Sequence, residues 1–317
     1  MHSRLIFITL FTPLLVVFGN LTAPSRAQSD LLQPNPDPVT PTDDYIPPID
    51  IDSQPVPPLP SPAQPQPLPQ PLPPLRRSNS LCPADFNAAI NQIIRRPTFA
   101  GARWGIMVES PTDQTPLYSY NAGQMLIPAS NNKLFTTAAA LKLLYHQSVD
   151  PNKFASRINT INQYSDNYAS DLLWNQIGGL QRVRTALVGL GVDPLSFRQV
   201  DGSGLSRSNL ATPSAIVHLL RAMYFDDDRK LFYYSLPLSG VSGTLKYRFL
   251  KTPLQAKVRA KTGTLSGVRA LSGYMQQPDY GTLIFSIIVN QPGQSGEVLV
   301  NAVDRLALQM ERLTPCS

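Results

Sequence analysis

Residues 256–290 read AKVRAKTGTLSGVRALSGYMQQPDYGTLIFSIIVN, and their reading decides the fold. They hold three successive strand-like runs, AKVRAKTG (256–263), VRALSGYM (268–275) and TLIFSIIVN (282–290), each of strand rather than helix length. A helix follows from about Gly296 to Leu313, with Val298, Leu299, Ala302, Val303, Leu306, Met310 and Leu313 on one stripe. The same elements recur near residue 100 in the opposite order. PADFNAAINQII (83–94) places Phe86, Ile90, Ile93 and Ile94 at helical spacing behind a proline suited to a first turn. RWGIMVES and TPLYSYN, separated by Pro111, Thr112, Asp113 and Gln114, then read as a hairpin.

Between these groups the period is helical. Asn131 to His146 forms a helix with apolar residues, among them Leu134, Phe135, Ala138, Leu141 and Leu144, around most of its girth, so it is expected to be buried. From about Asn152 to Phe225 come three or four short helices, punctuated by glycines and by the turn-rich DGSGLSRSN (201–209), with no strand pattern. The predicted class is α+β. A five-stranded antiparallel sheet carries the N- and C-terminal helices, and an all-helical subdomain, about 130–235, is inserted into the sheet subdomain.

That domain is expected to occupy residues 81–317. Residues 1–27 read as an export signal, with Arg4, an apolar run from Leu5 to Phe18, and Ser25-Arg26-Ala27 at the cut. A retained anchor is the alternative, disfavoured because the run contains Pro13 and falls short of the ~20 residues a spanning helix needs. Residues 28–80 hold more than half of the chain's 32 prolines. They read as a linker of polyproline II character, which lacks the N–H donors for sheet or helix. Two of the 27 basic and six of the 21 acidic residues precede Arg76, which leaves the domain about ten positive charges in excess. Such a balance suits an anionic envelope polymer or a carboxylate-bearing substrate, or a merely solvated face. The two cysteines, Cys82 and Cys316, bracket the domain and read as one disulfide in an oxidising, periplasmic or cell-envelope compartment.

The chemistry centres on LIPASNNKLFTT (126–137), where Ser130 precedes Lys133 by three residues. A Ser-x-x-Lys pair arises by chance about once in 240 residues, and Ser130 sits where a helix cap would sit. The pair alone therefore decides nothing. Of the histidines, His2 falls in the export signal, while His146 and His218 lie in apolar helical runs that suit structural imidazoles. If Ser130 is a nucleophile, a lysine must be its base. Positions i and i+3 share a helix face, burial would favour a neutral amine, and the helix start offers the Ser130 N–H to an oxyanion. Two further strings, SDN (165–167) and KTG (261–263, followed by Thr264), are each expected about 0.03 times in a chain of this length. Ser-x-x-Lys, SDN and KTG in this order form the motif trio of penicillin-binding proteins and class A β-lactamases. No metal-ligand motif accompanies them.

With PASNNKLFTTAAAL, SDNYASDLL, VDGSGLSRSNLATP, GVSGTLKYRF and RAKTGTLSGVRALSGY, the chain resembles the serine acyl-transferase superfamily of penicillin-binding proteins. It is most similar to the D-alanyl-D-alanine carboxypeptidase/endopeptidases of the penicillin-binding protein 4 type, from Trp104 to the end. The resemblance implies a serine D,D-carboxypeptidase, with D,D-endopeptidase activity as an extension, acting on peptidoglycan stem peptides, with β-lactams as covalent inhibitors. Cofactors, metal and nucleic acid are not expected. It implies Ser130 as nucleophile, Lys133 as its base and Ser165 as proton relay, with Asn167 on the substrate amide. Lys261 and Thr262 would bind the terminal carboxylate or tune the local field, Thr264 would give a second oxyanion N–H and a hydroxyl to that carboxylate, and Gly263 counts with them as substrate-binding. Asp201, Ser203 and Ser206 receive only a turn-forming role. The chain departs from the family in one respect: thirty-one residues separate Lys133 from Ser165, where family members carry a large insert. Two other readings stay open, a β-lactamase, for which no water-activating acid is identifiable, and a non-catalytic wall-binding module.

Overall fold

A computed structural model describes residues 80–113 and 115–315. The export signal, the proline-rich segment up to Asn79, Gln114 of the hairpin turn and Cys316 lie outside the described residues. Helix α1 (Pro83–Ile94) leads into strands β1 (Arg103–Glu109) and β2 (Tyr118–Tyr120). Then come α2 (Asn132–Leu144), α3 (Pro151–Gln163), α4 (Asn167–Ile177) and α5 (Gly179–Val188), a ribbon of β3 (Phe197–Arg198) and β4 (Leu210–Ala211), and helices α6 (Pro213–Phe225) and α7 (Arg229–Ser235). Strands β5 (Val258–Leu265), β6 (Val268–Gln277) and β7 (Gly281–Asn290) and helix α8 (Gly296–Glu311) complete the chain.

The main sheet is antiparallel throughout, in the order β2-β1-β7-β6-β5. Alternation sorts its side chains onto two faces. Ile106, Val108, Leu271, Phe285 and Ile287 pack with Phe86 and Ile90 of α1 and Leu299, Leu306 and Met310 of α8. Met107, Ala270, Tyr274, Ile284 and Ile288 point the other way, into the cluster built by the intervening helices. Because both faces are covered, β6 and β7 are buried along nearly their whole length. Each fully buried Leu, Ile or Phe side chain contributes about 1.5–3 kcal/mol. The terminal elements meet beside α8: the Leu81 N–H donates to the Arg312 carbonyl at 2.8 Å and the Thr314 N–H to the Leu81 carbonyl at 2.9 Å.

Helix α2 is the axis of the helical part, with ten of its thirteen residues buried, so its sequence shows almost no amphipathic contrast. The Phe135 ring stacks on Phe197, with centroids 4.4 Å apart. Side-chain caps fix the surrounding helices: Asp150 accepts from the Lys153 N–H, Asp166 from Ala169 and Thr212 from Ala215. The ribbon of β3 and β4 corrects the expectation that this region holds no strand. Each of its strands has two residues, too few for a period-two pattern to show in sequence. None of the helices among the described residues is long and apolar enough to cross a membrane.

The Tyr274 hydroxyl, buried in the sheet face that meets the helices, donates to the Leu220 carbonyl of α6 at 2.7 Å. Tyr274→Phe is expected to lower unfolding free energy by about 1 kcal/mol, measured by urea denaturation, without changing the slope against denaturant.

Candidate active site

The chain enters the site through a pinned segment. Leu126 exchanges both backbone hydrogen bonds with Ala211 of β4, at 3.0 and 2.9 Å. The Ile127 N–H donates to Asn290 Oδ1 at 2.8 Å, and Asn290 Nδ2 returns to the Ile127 carbonyl at 3.0 Å. Asn131, fully buried, donates to Ser272 Oγ at 2.7 Å, and Ser272 donates to Ser286 at 2.9 Å, so one side-chain chain ties this turn to β6 and β7. Ala129 is left with φ +48°, a left-handed conformation that costs a non-glycine residue about 1–3 kcal/mol.

Ser130 lies in a 3-10 turn, Ala129–Asn131, that runs directly into α2. The expected cap role is therefore corrected: neither Pro128 nor Asn131, the residues at the two helix starts, accepts a side-chain cap bond, and Ser130 is already inside the turn. Its hydroxyl instead accepts from Lys133 Nζ at 3.1 Å. Lys133 Nζ also donates to Asn167 Oδ1 at 2.8 Å and to the Ser203 carbonyl at 2.5 Å. This lysine is fully buried, and desolvation pulls its pKa down to about 8 despite the carboxylates of Asp171, Asp201 and Asp166.

Ser165 follows α3 at φ +60°, and its hydroxyl accepts from Lys261 Nζ at 2.9 Å. Within SDN, Ser165 and Asn167 thus face the two lysines, while Asp166 caps α4. Lys261 is fully buried on β5 and also donates to the Thr262 carbonyl at 3.1 Å. Burial first, and the Lys133 charge second, hold its pKa well below the ordinary lysine range. The Thr262 hydroxyl donates to Thr244 Oγ1 at 2.8 Å. Gly263 lets β5 close on the serine turn, since a Cβ there would stand 2.5 Å from the Pro128 carbonyl. Thr264, one residue on, is exposed and its hydroxyl makes no hydrogen bond among the described residues.

Sequence reasoning missed the other wall. Three consecutive carbonyls, of Asp201, Gly202 and Ser203, accept from Asn132, Thr136 and Lys133 of α2, and Ser170 joins on Gly202. Gly204, at φ +86°, leaves no room for a Cβ, which would lie 2.0 Å from the Ala129 carbonyl. Thr244 was missed as well, although it lies in the quoted GVSGTLKYRF. Neither histidine hydrogen-bonds Ser130: His146 sits 3.1 Å from Asp228, and His218 is half-buried on α6, its pKa lowered by burial and by Arg221. Among the described residues no group of three or more His, Cys, Asp or Glu side chains is placed to hold a metal ion.

The model of the D-Ala-D-Ala carboxypeptidase 3 (S13) family matches residues 86–149 and 146–313. The chain belongs to this family. The two matches meet between the helix of Lys133 and the turn of Ser165, where the expected insert is missing. The D-alanyl-D-alanine carboxypeptidase of Actinomadura sp. (strain R39) is 39% identical over 164 residues, covering 47% of this chain and 30% of that protein. Carboxypeptidase Rv3627c of Mycobacterium tuberculosis is 28% identical over 252 residues, covering 72% and 53%. The chain spans about half or less of the length of such curated relatives. Penicillin binding protein 4 from Haemophilus influenzae shares the fold at TM-score 0.58 and 16% identity, over 71% of this chain and 99% of that one. TLA-3 extended-spectrum β-lactamase does so at 0.59 and 18%, over 72% and 98%. The fold is that of penicillin-binding proteins and class A β-lactamases.

Gly263→Ala is expected to push β5 off the Pro128 carbonyl and to destabilise the domain by about 1–3 kcal/mol, read from the denaturation midpoint.

Proposed function

We propose that this protein is an exported serine-type D-Ala-D-Ala carboxypeptidase that acts on peptidoglycan stem peptides through an acyl-enzyme on Ser130. The observation that carries the reading is the set of partners around Lys133 Nζ. A neutral amine has two N–H bonds and one lone pair. Asn167 Oδ1 and the Ser203 carbonyl take the two N–H bonds, and the lone pair is then directed at the Ser130 hydroxyl 3.1 Å away. A pKa near 8 leaves about a tenth of the amine neutral at pH 7, far more than an ordinary lysine would supply.

In the acylation step, Ser130 Oγ attacks the carbonyl carbon of the penultimate D-Ala while its proton passes to Lys133. The developing oxyanion would lie on the Ser130 N–H, among the first helical N–H groups that lack an intrahelical acceptor, and on the N–H of Thr264. Collapse expels the terminal D-Ala amine. Ser165, whose oxygen is engaged by Lys261, gives its own O–H proton to that amine and takes in its place the proton that Lys133 removed from Ser130. Asn167 keeps its Nδ2 for a substrate carbonyl. Thr262 and Thr264, with Lys261 behind them, would meet the terminal carboxylate. Water then hydrolyses the ester.

The carboxylates nearest Lys133 carry backbone donors: Ala169 N–H on Asp166, Ser203 N–H on Asp171, and Gly204 and Ser206 N–H on Asp201. That arrangement supports slow deacylation by water, and hence lasting inhibition by β-lactams rather than their turnover. The reading includes a periplasmic or cell-envelope location and a Cys82–Cys316 disulfide. The backbone bonds between Leu81 and residues 312–314 support that pairing.

A fluorescent penicillin should label the wild-type protein and persist, and D-Ala should be released from a stem pentapeptide. Ser130→Ala should abolish both, and Lys133→Ala should slow labelling at least about 100-fold. Labelling of Ser130→Ala at the wild-type rate would refute the assignment. Because Lys133 is active as the free base, the labelling rate should climb with pH to a midpoint near 8; a rate independent of pH between 6 and 9 excludes this lysine as the base.

A further inference from the structure

The Ser203 carbonyl takes the shortest of the three bonds from Lys133, and what holds that carbonyl lies one peptide away. The Ser203 N–H donates to Asp171 Oδ1 at 2.8 Å. Asp171 projects from α4, the helix whose first residue, Asn167, supplies the neighbouring acceptor of Lys133. Both acceptors of the amine are thus referred to one rigid helix, one directly and one through a single carboxylate. The turn that carries Ser203 is stiff on its other side: Asp201 collects the N–H groups of Gly204 (2.5 Å) and Ser206 (2.8 Å), the Ser203 hydroxyl (3.2 Å) and Asn209 Nδ2 (3.0 Å).

We infer that Asp171 is a positioning residue for Lys133, acting through the Ser203 peptide: it fixes the carbonyl that orients the amine, and its negative charge sets how firmly the lysine keeps its proton. The inference deepens the proposed function, because it rests on Lys133 being the base. Desolvation alone would lower the amine's pKa further than it stands with the three carboxylates in place, and a base that never holds a proton cannot shuttle one. The charged groups that face Lys133 are Asp166 and Asp171 from α4, Asp201 from the turn and Lys261 from β5. Asp201 accepts from the Gly204 N–H, in the peptide unit that carries the carbonyl, but it belongs to the turn itself; Asp171 accepts from the Ser203 N–H and so ties Ser203 to α4. Its charge opposes the lowering that burial imposes on the amine.

Asp171→Asn separates the two contributions. An amide oxygen still accepts from the Ser203 N–H, so the geometry survives while the charge is lost. Lysines carrying a 13C label at Cε report protonation directly, and Lys133→Arg identifies the resonance. In Asp171→Asn the Lys133 midpoint should fall by roughly half a unit or more, and the ascending limb of penicillin labelling should move to lower pH by the same amount. Asp171→Ala, which loses the bond as well, should also lower the high-pH plateau about tenfold. An unchanged lysine midpoint in Asp171→Asn overturns the inference, because a purely structural aspartate would change stability without moving a titration. If that variant does not fold, Asp171→Glu keeps the charge but displaces the carboxylate: its midpoint should stay and its plateau should drop, and an unaltered plateau overturns the inference. The resonance does not depend on acylation. A shifted midpoint without penicillin labelling of the wild type would therefore refute the proposed function and leave the role of Asp171 standing.

Discussion

A lysine with no exposed surface is the constraint on which the rest depends. An isolated ammonium in an apolar interior costs many kcal/mol, so such a residue persists only with acceptors fixed around it. Lys133 obtains them from three separate parts of the chain: its own helix start, the first turn of α4 and the carbonyl of Ser203. None of these parts can shift without stranding the amine. The arrangement of α2, α4 and the turn at 201–206 is in this sense dictated by one nitrogen atom.

The sheet answers the same demand from the other side. β5 delivers a second buried lysine, Lys261, to within 2.9 Å of Ser165, and it can approach only because Gly263 has no side chain. The serine turn is held against it by Asn131 on Ser272 and by Asn290 on Ile127. Left-handed backbone at Ala129 and Ser165 is the residual strain of this closure, and both residues lie at or next to the hydroxyls concerned. The charge of Lys133 adds to burial in holding Lys261 below the ordinary lysine range.

What the sequence made legible follows from length and period. α1 and the strands β5 to β7 could be read because they run for eight or more residues with one consistent pattern, and Ser-x-x-Lys, SDN and KTG because side-chain chemistry is written in residue names. The acceptors of Lys133 other than Ser130 and Asn167 were hidden. The Ser203 carbonyl is backbone, which every residue carries, so DGSGLSRSN showed only that the chain turns there. Asp171 lies inside the quoted SDNYASDLL, yet nothing in its spacing reveals that its target is a peptide thirty-two residues on. A serine before an apolar helix ordinarily caps it, so the position of Ser130 alone suggests a cap. The 3-10 turn that moves the helix start to Asn132 is set by the tertiary bonds of Asn131, which one sequence does not show.

The short connection after α2 bears on how the fold tolerates loss. Thirty-one residues carry the chain from Lys133 to Ser165, through the end of α2 and the whole of α3. Every bond to the two lysine side chains comes from residues outside that interval: Ser130, Asn167 and Ser203 for Lys133, and Ser165 and Thr262 for Lys261. An insert placed there contributes none of the acceptors that hold the amines, so its absence leaves the geometry around Ser130 intact. What the interval does supply is a support: buried Asn162 of α3 donates to Ser235 of α7 at 2.8 Å, and Gln163 to the Leu236 carbonyl at 3.1 Å. These bonds set where Ser165 begins. The minimum the site requires of this stretch is one helix, docked firmly enough to aim the residue that follows it.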